Sequence, residues 1–180
     1  GIASYSKNLF KCISDEVVIF SPKNEALPSK LNEIVIPSWE YNSDLISCAN
    51  SVINAGITSL VIQFNYGFFN FENLSTFIHQ ILSKNINIVI ILHSTIDPDK
   101  LQSKKLFLLF EAFSKCQRLI VHTINDLNRL KKIGLIDNVC LLPHAIYDHS
   151  QIIDQTRKIS RPCLTSKVIN IGSYGFCLPN

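Results

Sequence analysis

Short apolar runs rich in valine and isoleucine alternate along this chain with longer segments of helical periodicity. The runs have the length of β-strands and cover residues 17–20, 34–36, 60–64, 88–92, 119–122, 139–142 and 168–171. Strands that alternate with helices predict a parallel sheet covered on both faces, because each parallel connection needs a crossover that packs on the sheet. A TIM barrel needs eight such units and about 250 residues. A doubly wound, mostly parallel, Rossmann-like α/β sheet therefore fits these 180 residues better.

The segments between the runs place apolar residues on one face of a helix. They predict helices over residues 43–56, 74–82, 97–115 and 126–133, and the first residues of the chain are also typical of a helix. Ser43 is expected to cap the first of the four helices, and Gly56 to end it in a left-handed conformation. The third is expected to begin with Asp97 as N-cap, and the fourth to stop at Gly134.

The charge of the chain is mildly basic. Seventeen Lys and Arg against fourteen Asp and Glu give +3 at pH 7, and no run of five basic residues occurs. This pattern excludes a nucleic-acid-binding arm, which needs a dense basic stretch. A small cluster of Arg129, Lys131 and Lys132 is interpreted as the solvated last turn of a helix, where the helix dipole favours positive charge.

The cysteines indicate the compartment. They are widely spread, without a CxxC pair or metal-ligand spacing, at Cys12, Cys48, Cys116, Cys140, Cys163 and Cys177. This pattern predicts reduced thiols, most of them in the core of a cytosolic protein. No stretch reaches the roughly 18 apolar residues of a membrane-spanning helix, and the first residues do not resemble a signal peptide. We expect a cytoplasmic protein that is soluble or in peripheral contact with a membrane.

Polar side chains follow four of the predicted strands, at the point where each strand ends. Asn65, Tyr66 and Gly67 follow one strand, and His93, His122 and His144 follow the three strands after it. The carboxyl ends of parallel strands meet at one edge of a sheet, where α/β proteins bind ligands. Three histidines in equivalent positions therefore predict a ligand crevice with acid/base capacity, although a single histidine of this kind is more often structural.

Several catalytic motifs are missing from the sequence. It contains no GxGxxG, GxxxxGK[ST], GxSxG or HExxH motif. Nicotinamide or flavin enzymes, P-loop NTPases and simple hydrolases are therefore disfavoured. Gly172 and Gly175 follow a predicted strand, where the backbone could approach a phosphate, but two glycines alone are a weak signal.

Six segments, taken in order, carry a family resemblance. They are GIASYSKNLF, VIQFNYGFF, INIVIILHSTID, CQRLIVHTINDLNRLKKIG, VCLLPHAI and VINIGSYGFCLPN. In order and spacing they resemble the retaining glycosyltransferases of the GT-B fold (glycosyltransferase family 4-like), which include sucrose-phosphate synthase and bacterial mannosyltransferases. The second segment resembles a strand that ends in a His-Glu-Tyr-Gly type of turn, and the fifth resembles the family's Pro-His-Gly turn.

The resemblance implies a domain organisation. Residues 1–146 would form the acceptor-side Rossmann-like domain, which is the N-terminal domain of a GT-B fold, without its first strand. Residues 147–167 would be a linker, and residues 168–180 would provide the first strand of a truncated second Rossmann domain that binds the nucleotide-sugar. By this resemblance the chain is an internal piece of a longer protein and is inactive by itself.

The resemblance also implies roles for individual residues. Asn65 and His93 would be catalytic, and Gly172 and Ser173 would bind the donor phosphates. The substrate-binding residues would be Gly1, Ile2, Tyr66, Gly67, His122 and His144. Neither a metal nor another cofactor is expected.

The implied reaction transfers a sugar from a nucleotide-sugar donor to a glycan or lipid acceptor, at the cytoplasmic face of a membrane. Phe64 stands where many relatives carry a histidine, and it can neither hydrogen-bond a sugar hydroxyl nor transfer a proton. Two alternatives therefore stay open. The chain could be a non-catalytic Rossmann-like ligand-binding module, or a degenerate glycosyltransferase that retains only the structure.

Overall fold

A computed structural model of the chain describes residues 2–10, 16–24 and 34–144. These residues lie in the first of two units, Gly1–His144, and the second unit, Ala145–Asn180, is outside the described ranges. The predictions for Gly1, Gly172 and Ser173 therefore fall outside the described residues. The same holds for the linker at 147–167 and the strand at 168–171.

The described residues form five α-helices, two 3₁₀ helices and six strands. The helices are α1 (Ile2–Phe10), α2 (Ile46–Asn54), α3 (Phe71–Leu82), α4 (Phe110–Ser114) and α5 (Ile124–Lys132). The strands are β1 (Val18–Pro22), β2 (Ile34–Trp39), β3 (Ser59–Phe64), β4 (Asn87–Leu92), β5 (Arg118–Val121) and β6 (Val139–Leu141). Short 3₁₀ helices cover Gln102–Lys104 and Leu106–Leu109. Every strand that falls in the described ranges was predicted to within three residues at each end.

The strands pair in parallel, which confirms an α/β fold with a parallel sheet. Strands β1 and β2 form one two-stranded sheet, and β3, β4, β5 and β6 form a four-stranded sheet in that order. Within the described ranges the two sheets share no strand pairing. The four-stranded sheet is compatible with a Rossmann-like fold. Its register places Gln63 beside Ile91, and Ile91 beside Ile120, so these three side chains share one face.

The opposite face of the four-stranded sheet forms the core. Along β3, the side chains of Leu60, Ile62 and Phe64 are buried, and the residues between them are more accessible. Phe64 is fully buried and packs its ring against Phe113 at a centroid distance of 5.8 Å. Burial of each such apolar side chain contributes about 1.5–3 kcal/mol, so this face holds the helices on the sheet.

Helix ends follow the sequence in some places and depart from it in others. Gly56 and Gly134, which were expected to end helices, have positive φ angles of 64° and 93°. Helix α2, however, begins at Ile46, and Ser43 does not cap it. The Ser43 hydroxyl donates instead to the carbonyl oxygens of Glu40 and Asp44. The cap prediction at Ser43 is therefore wrong, because a bond within the preceding turn uses its hydroxyl.

The predicted helix over residues 97–115 is also wrong for most of its length. The Asp97 carboxylate accepts hydrogen bonds from the Tyr66 hydroxyl and from the backbone nitrogen of Leu106, both at 2.9 Å. It is therefore bound to distant groups and does not cap a helix at Pro98. The chain forms two 3₁₀ turns first, and α-helical geometry begins only at Phe110.

In the described part of the chain, no helix is both long and apolar enough to cross a membrane.

The described cysteines are free thiols. Cys48 and Cys116 are buried, whereas Cys140 is exposed. Burial raises the pKa of Cys116 to about 12, so it stays protonated and acts as an apolar group of the core.

Candidate functional site

The three histidines predicted at strand ends lie together in space. His93, His122 and His144 follow β4, β5 and β6, whose carboxyl ends meet at one edge of the parallel sheet. The rings of His122 and His144 stack at a centroid distance of 3.8 Å, and His93 lies 5.6 Å from His122. The three imidazoles therefore lie close together at this edge, and the ligand crevice stays a prediction.

Tyr5 of α1 completes this cluster. Its ring centroid lies 5.1 Å from that of His93, 5.3 Å from that of His122 and 5.5 Å from that of His144. All three contacts are edge-on, which is a favourable geometry for aromatic pairs. Sequence reasoning missed Tyr5, because helical periodicity shows that α1 has an apolar face but not what that face covers.

Gln63 is the second residue that sequence reasoning missed. Its Oε1 accepts a hydrogen bond from Nε2 of His93 at 2.7 Å, so this nitrogen carries the proton of the neutral ring. The amide nitrogen of Gln63 is buried and has no hydrogen-bond partner among the residues that the structure describes. The available signal was a polar amide near the end of an otherwise apolar strand.

His122 presents the complementary group. Its Nδ1 lies 2.8 Å from the carbonyl oxygen of Leu142, which can only accept, so Nδ1 is the donor. In the neutral ring Nε2 is then an acceptor, and it is buried without a partner within the described ranges. The side chain is 8% exposed, so bulk water reaches it poorly. The cluster thus contains one unpaired donor and one unpaired acceptor.

Two imidazoles of this site, those of His93 and His144, have lowered pKa values. Burial, together with the nearby His122 and His144 rings, lowers the pKa of His93 to about 4. Burial and His122 also lower the pKa of His144, and burial raises the pKa of the Tyr5 hydroxyl. At neutral pH the site therefore offers hydrogen-bonding groups and aromatic surface but no charge on His93. It suits a neutral ligand better than an anion.

The polar side chains of the turn after β3 are already bound to other groups of the protein. Asn65 Oδ1 accepts from the backbone nitrogen of Gly67 at 2.9 Å, which closes an Asx-type turn. The Tyr66 hydroxyl donates to Asp97, and burial together with this bond raises the pKa of Tyr66. Nζ of Lys104 donates to the carbonyl oxygens of Tyr66 and Phe69. These contacts fix the turn beside His93, whose backbone nitrogen donates to the Phe64 carbonyl at 3.3 Å.

Ile2 lies in the first turn of α1. It is half-buried, and its carbonyl oxygen accepts from the Ser6 hydroxyl at 2.9 Å. It therefore belongs to the same short helix as Tyr5.

A second polar group lies behind the histidines, at the start of α5. Asp126 accepts hydrogen bonds from the hydroxyls of Thr95 and Thr123 at 2.5 and 2.6 Å and from Arg129 at 3.0 Å. Burial alone would raise the pKa of Asp126, but these bonds and the Arg129 charge lower it. Because the bonds join residues within and around α5, this group acts as a scaffold for the loop after β4.

Two surface clefts lie away from the three histidines. Shallow clefts of about 570 Å³ and 240 Å³ lie along α5, and both include Arg129 and Lys132. Among the residues described by the structure, no three His, Cys, Asp or Glu side chains are arranged to hold a metal ion.

Comparison with known proteins finds no relative of the chain. No protein-family model, curated protein or solved structure matches the chain. Its function is therefore argued from the residues of the site.

Proposed function

We propose that this chain is the acceptor-side Rossmann-like domain of a retaining glycosyltransferase of the GT-B fold. The observation that carries this proposal is the convergence of His93, His122 and His144 with Gln63 and Tyr5 at the carboxyl edge of a parallel sheet. Uncharged donors and acceptors beside aromatic rings suit a sugar, which combines hydroxyl groups with apolar ring faces. The donor would be a nucleotide-sugar, and the acceptor a glycan or a lipid.

The division of the sheet supports the same proposal. In the Rossmann strand order 3-2-1-4-5-6, the first strand lies between the second and the fourth. Strands β1 and β2 would correspond to the second and third strands, and β3 would correspond to the fourth. A first strand between β1 and β3 would join the two sheets that the described residues form.

The residues of the site have roles that follow from their bonds. His93, with a pKa of about 4, is a weak base and acts as a hydrogen-bonding and positioning group. Asn65 keeps its backbone close to the sheet edge, because its side chain closes the turn. The proposed mechanism therefore assigns orientation of the sugar and exclusion of water to this domain. The negative charge of the donor would be bound elsewhere in the protein.

Contact with a membrane is part of the proposal. Ile96 is 63% exposed and lines a cleft with Arg129 and Lys132. The ring of Phe110, which is 41% exposed, packs against Gly134 just beyond α5. Exposed apolar groups next to basic ones suit the headgroup region of an anionic membrane. This surface would bring the site close to a lipid acceptor.

The test is release of UDP or GDP from nucleotide-sugars. The protein encoded by the longest reading frame that contains these 180 residues should show this activity, and the 180 residues alone should not. His93→Ala should lower turnover while the circular-dichroism spectrum is unchanged. Activity of the 180 residues alone would contradict the two-domain proposal, and release by neither protein would contradict the enzyme.

The second candidate is a non-catalytic ligand-binding module, or a degenerate glycosyltransferase. It is favoured by the hydrogen bonds of the Asn65 and Tyr66 side chains, to Gly67 and to Asp97, which leave this turn without a free acid or base. Asn65→Ala and His93→Ala in the longer protein distinguish the candidates. Loss of turnover favours the enzyme, and loss of sugar binding in a protein without turnover favours the module.

A further inference from the structure

Among the residues that the structure describes, the cluster at the sheet edge contains one buried donor and one buried acceptor without a hydrogen-bond partner. They are the amide nitrogen of Gln63 and Nε2 of His122. A buried polar group without a partner typically costs about 1–3 kcal/mol, so a protein rarely retains two of them in one cluster without a use. His93 connects them, since it is bonded to Gln63 and lies 5.6 Å from the His122 ring.

We infer that Gln63 and His122 form a subsite that binds the hydroxyl groups of a neutral, polyhydroxylated ligand. A hydroxyl group donates to Nε2 of His122 and accepts from the amide nitrogen of Gln63, either as one group or as two neighbouring groups of the same sugar ring. If the amide of Gln63 is flipped, its oxygen takes the place of its nitrogen and becomes an acceptor. Two neighbouring hydroxyl groups then donate, one to this oxygen and one to Nε2 of His122. The Tyr5 ring, edge-on to both His93 and His122, closes one side of the subsite.

Other ligand chemistries fit these groups less well. A fully ionised phosphate or a carboxylate has no proton to donate to Nε2 of His122, and an ammonium group cannot accept from the Gln63 amide nitrogen in the orientation that the structure shows. Neutral His93 supplies no positive charge that would hold an anion. This inference rests on the proposed function and deepens it, because it names the two residues that contact the sugar.

The test titrates the 180-residue chain with glucose, mannose and N-acetylglucosamine and follows the ¹⁵N resonance of His122 Nε2. Binding should shift this resonance, because its lone pair accepts a hydrogen bond. Per-O-methylated glucose has no hydroxyl to donate and should leave it unchanged. Glucose 1-phosphate separates sugar recognition from phosphate recognition, because it should bind no more tightly than glucose.

Gln63→Leu should weaken sugar binding by at least about fivefold, the effect of losing one ordinary hydrogen bond. Its melting temperature should change little, because the substitution removes the unpaired buried amide nitrogen together with the hydrogen bond from His93. Lys131→Ala, on α5, is the matched control and should bind like the original chain.

Two results would overturn the inference. One is a His122 resonance that no sugar shifts, which would mean that the two atoms hold only water. The other is a Gln63→Leu variant that binds sugars as tightly as the original chain. Sugar binding without turnover in the longer protein would uphold the subsite and contradict the enzyme, so the two proposals fail separately.

Discussion

Acidification should destabilise this protein through His93. The folded protein holds the His93 pKa at about 4, well below the ordinary histidine value of 6.5. Between these values the unfolded chain binds more protons than the folded one, so the free energy of unfolding falls as the pH decreases from about 6.5 to about 4. A fully enclosed ring with this difference in pKa would lose about 3 kcal/mol. Because the ring is only half-buried, we expect solvent screening to reduce the loss to about 1–2 kcal/mol.

Urea unfolding at a series of pH values measures this effect. The matched variant is His93→Gln, which keeps a nitrogen donor near the position of Nε2 but does not titrate. Its free energy of unfolding should depend less on pH over the same interval, although His144, whose pKa is also lowered, retains a smaller dependence of the same sign. The reasoning would be refuted by a variant whose pH dependence equals that of the original chain, or by a protein that gains stability on acidification.

Three other predictions concern the scaffold and the surface. Lys104→Met leaves the carbonyl oxygens bound by Lys104 unpaired and should cost about 1–3 kcal/mol in urea unfolding, whereas Lys100→Met at an exposed position should cost little. Thr123→Ala removes the N-cap of α5 and should cost about 1 kcal/mol, whereas Thr76→Ala within α3 should not destabilise; equal losses would contradict the cap. Sedimentation with phosphatidylserine vesicles should be salt-sensitive and about fivefold weaker for Lys132→Ala, and binding to neutral vesicles alone would contradict the basic contact.

The fold could be predicted where the deciding interactions are local. Strand positions followed from runs of valine and isoleucine, and the parallel pairing followed from their alternation with helices. The prediction failed over residues 97–109, because the Asp97 carboxylate that resembles a helix cap is bound by Tyr66, 31 residues earlier in the sequence. Local pattern cannot show that a distant hydroxyl competes for the same carboxylate.

The site could be predicted only in part, for a similar reason. The equivalent positions of His93, His122 and His144 at strand ends are visible in the sequence, and parallel pairing brings them together. The contact of Tyr5 with these rings and the bond of Gln63 to His93 depend on how α1 and β3 pack. Predicting the contact of Gln63 would also have required knowing which face of β3 packs against the helices.

Side chains alternate between the two faces of β3, and this alternation changes what Phe64 implies about function. Adjacent residues of a strand point to opposite faces, so Phe64 faces the core and Gln63 faces His93. A histidine at position 64 would therefore lie among Phe71 and Phe113, away from the ligand. We expect Phe64→His to cost about 3–5 kcal/mol in urea unfolding, as truncation of a buried Phe does, without improving sugar binding. Improved binding would show that position 64 does reach the site. Unchanged binding would support the proposal that the Gln63 amide, and not the side chain at position 64, contacts the ligand at the end of β3.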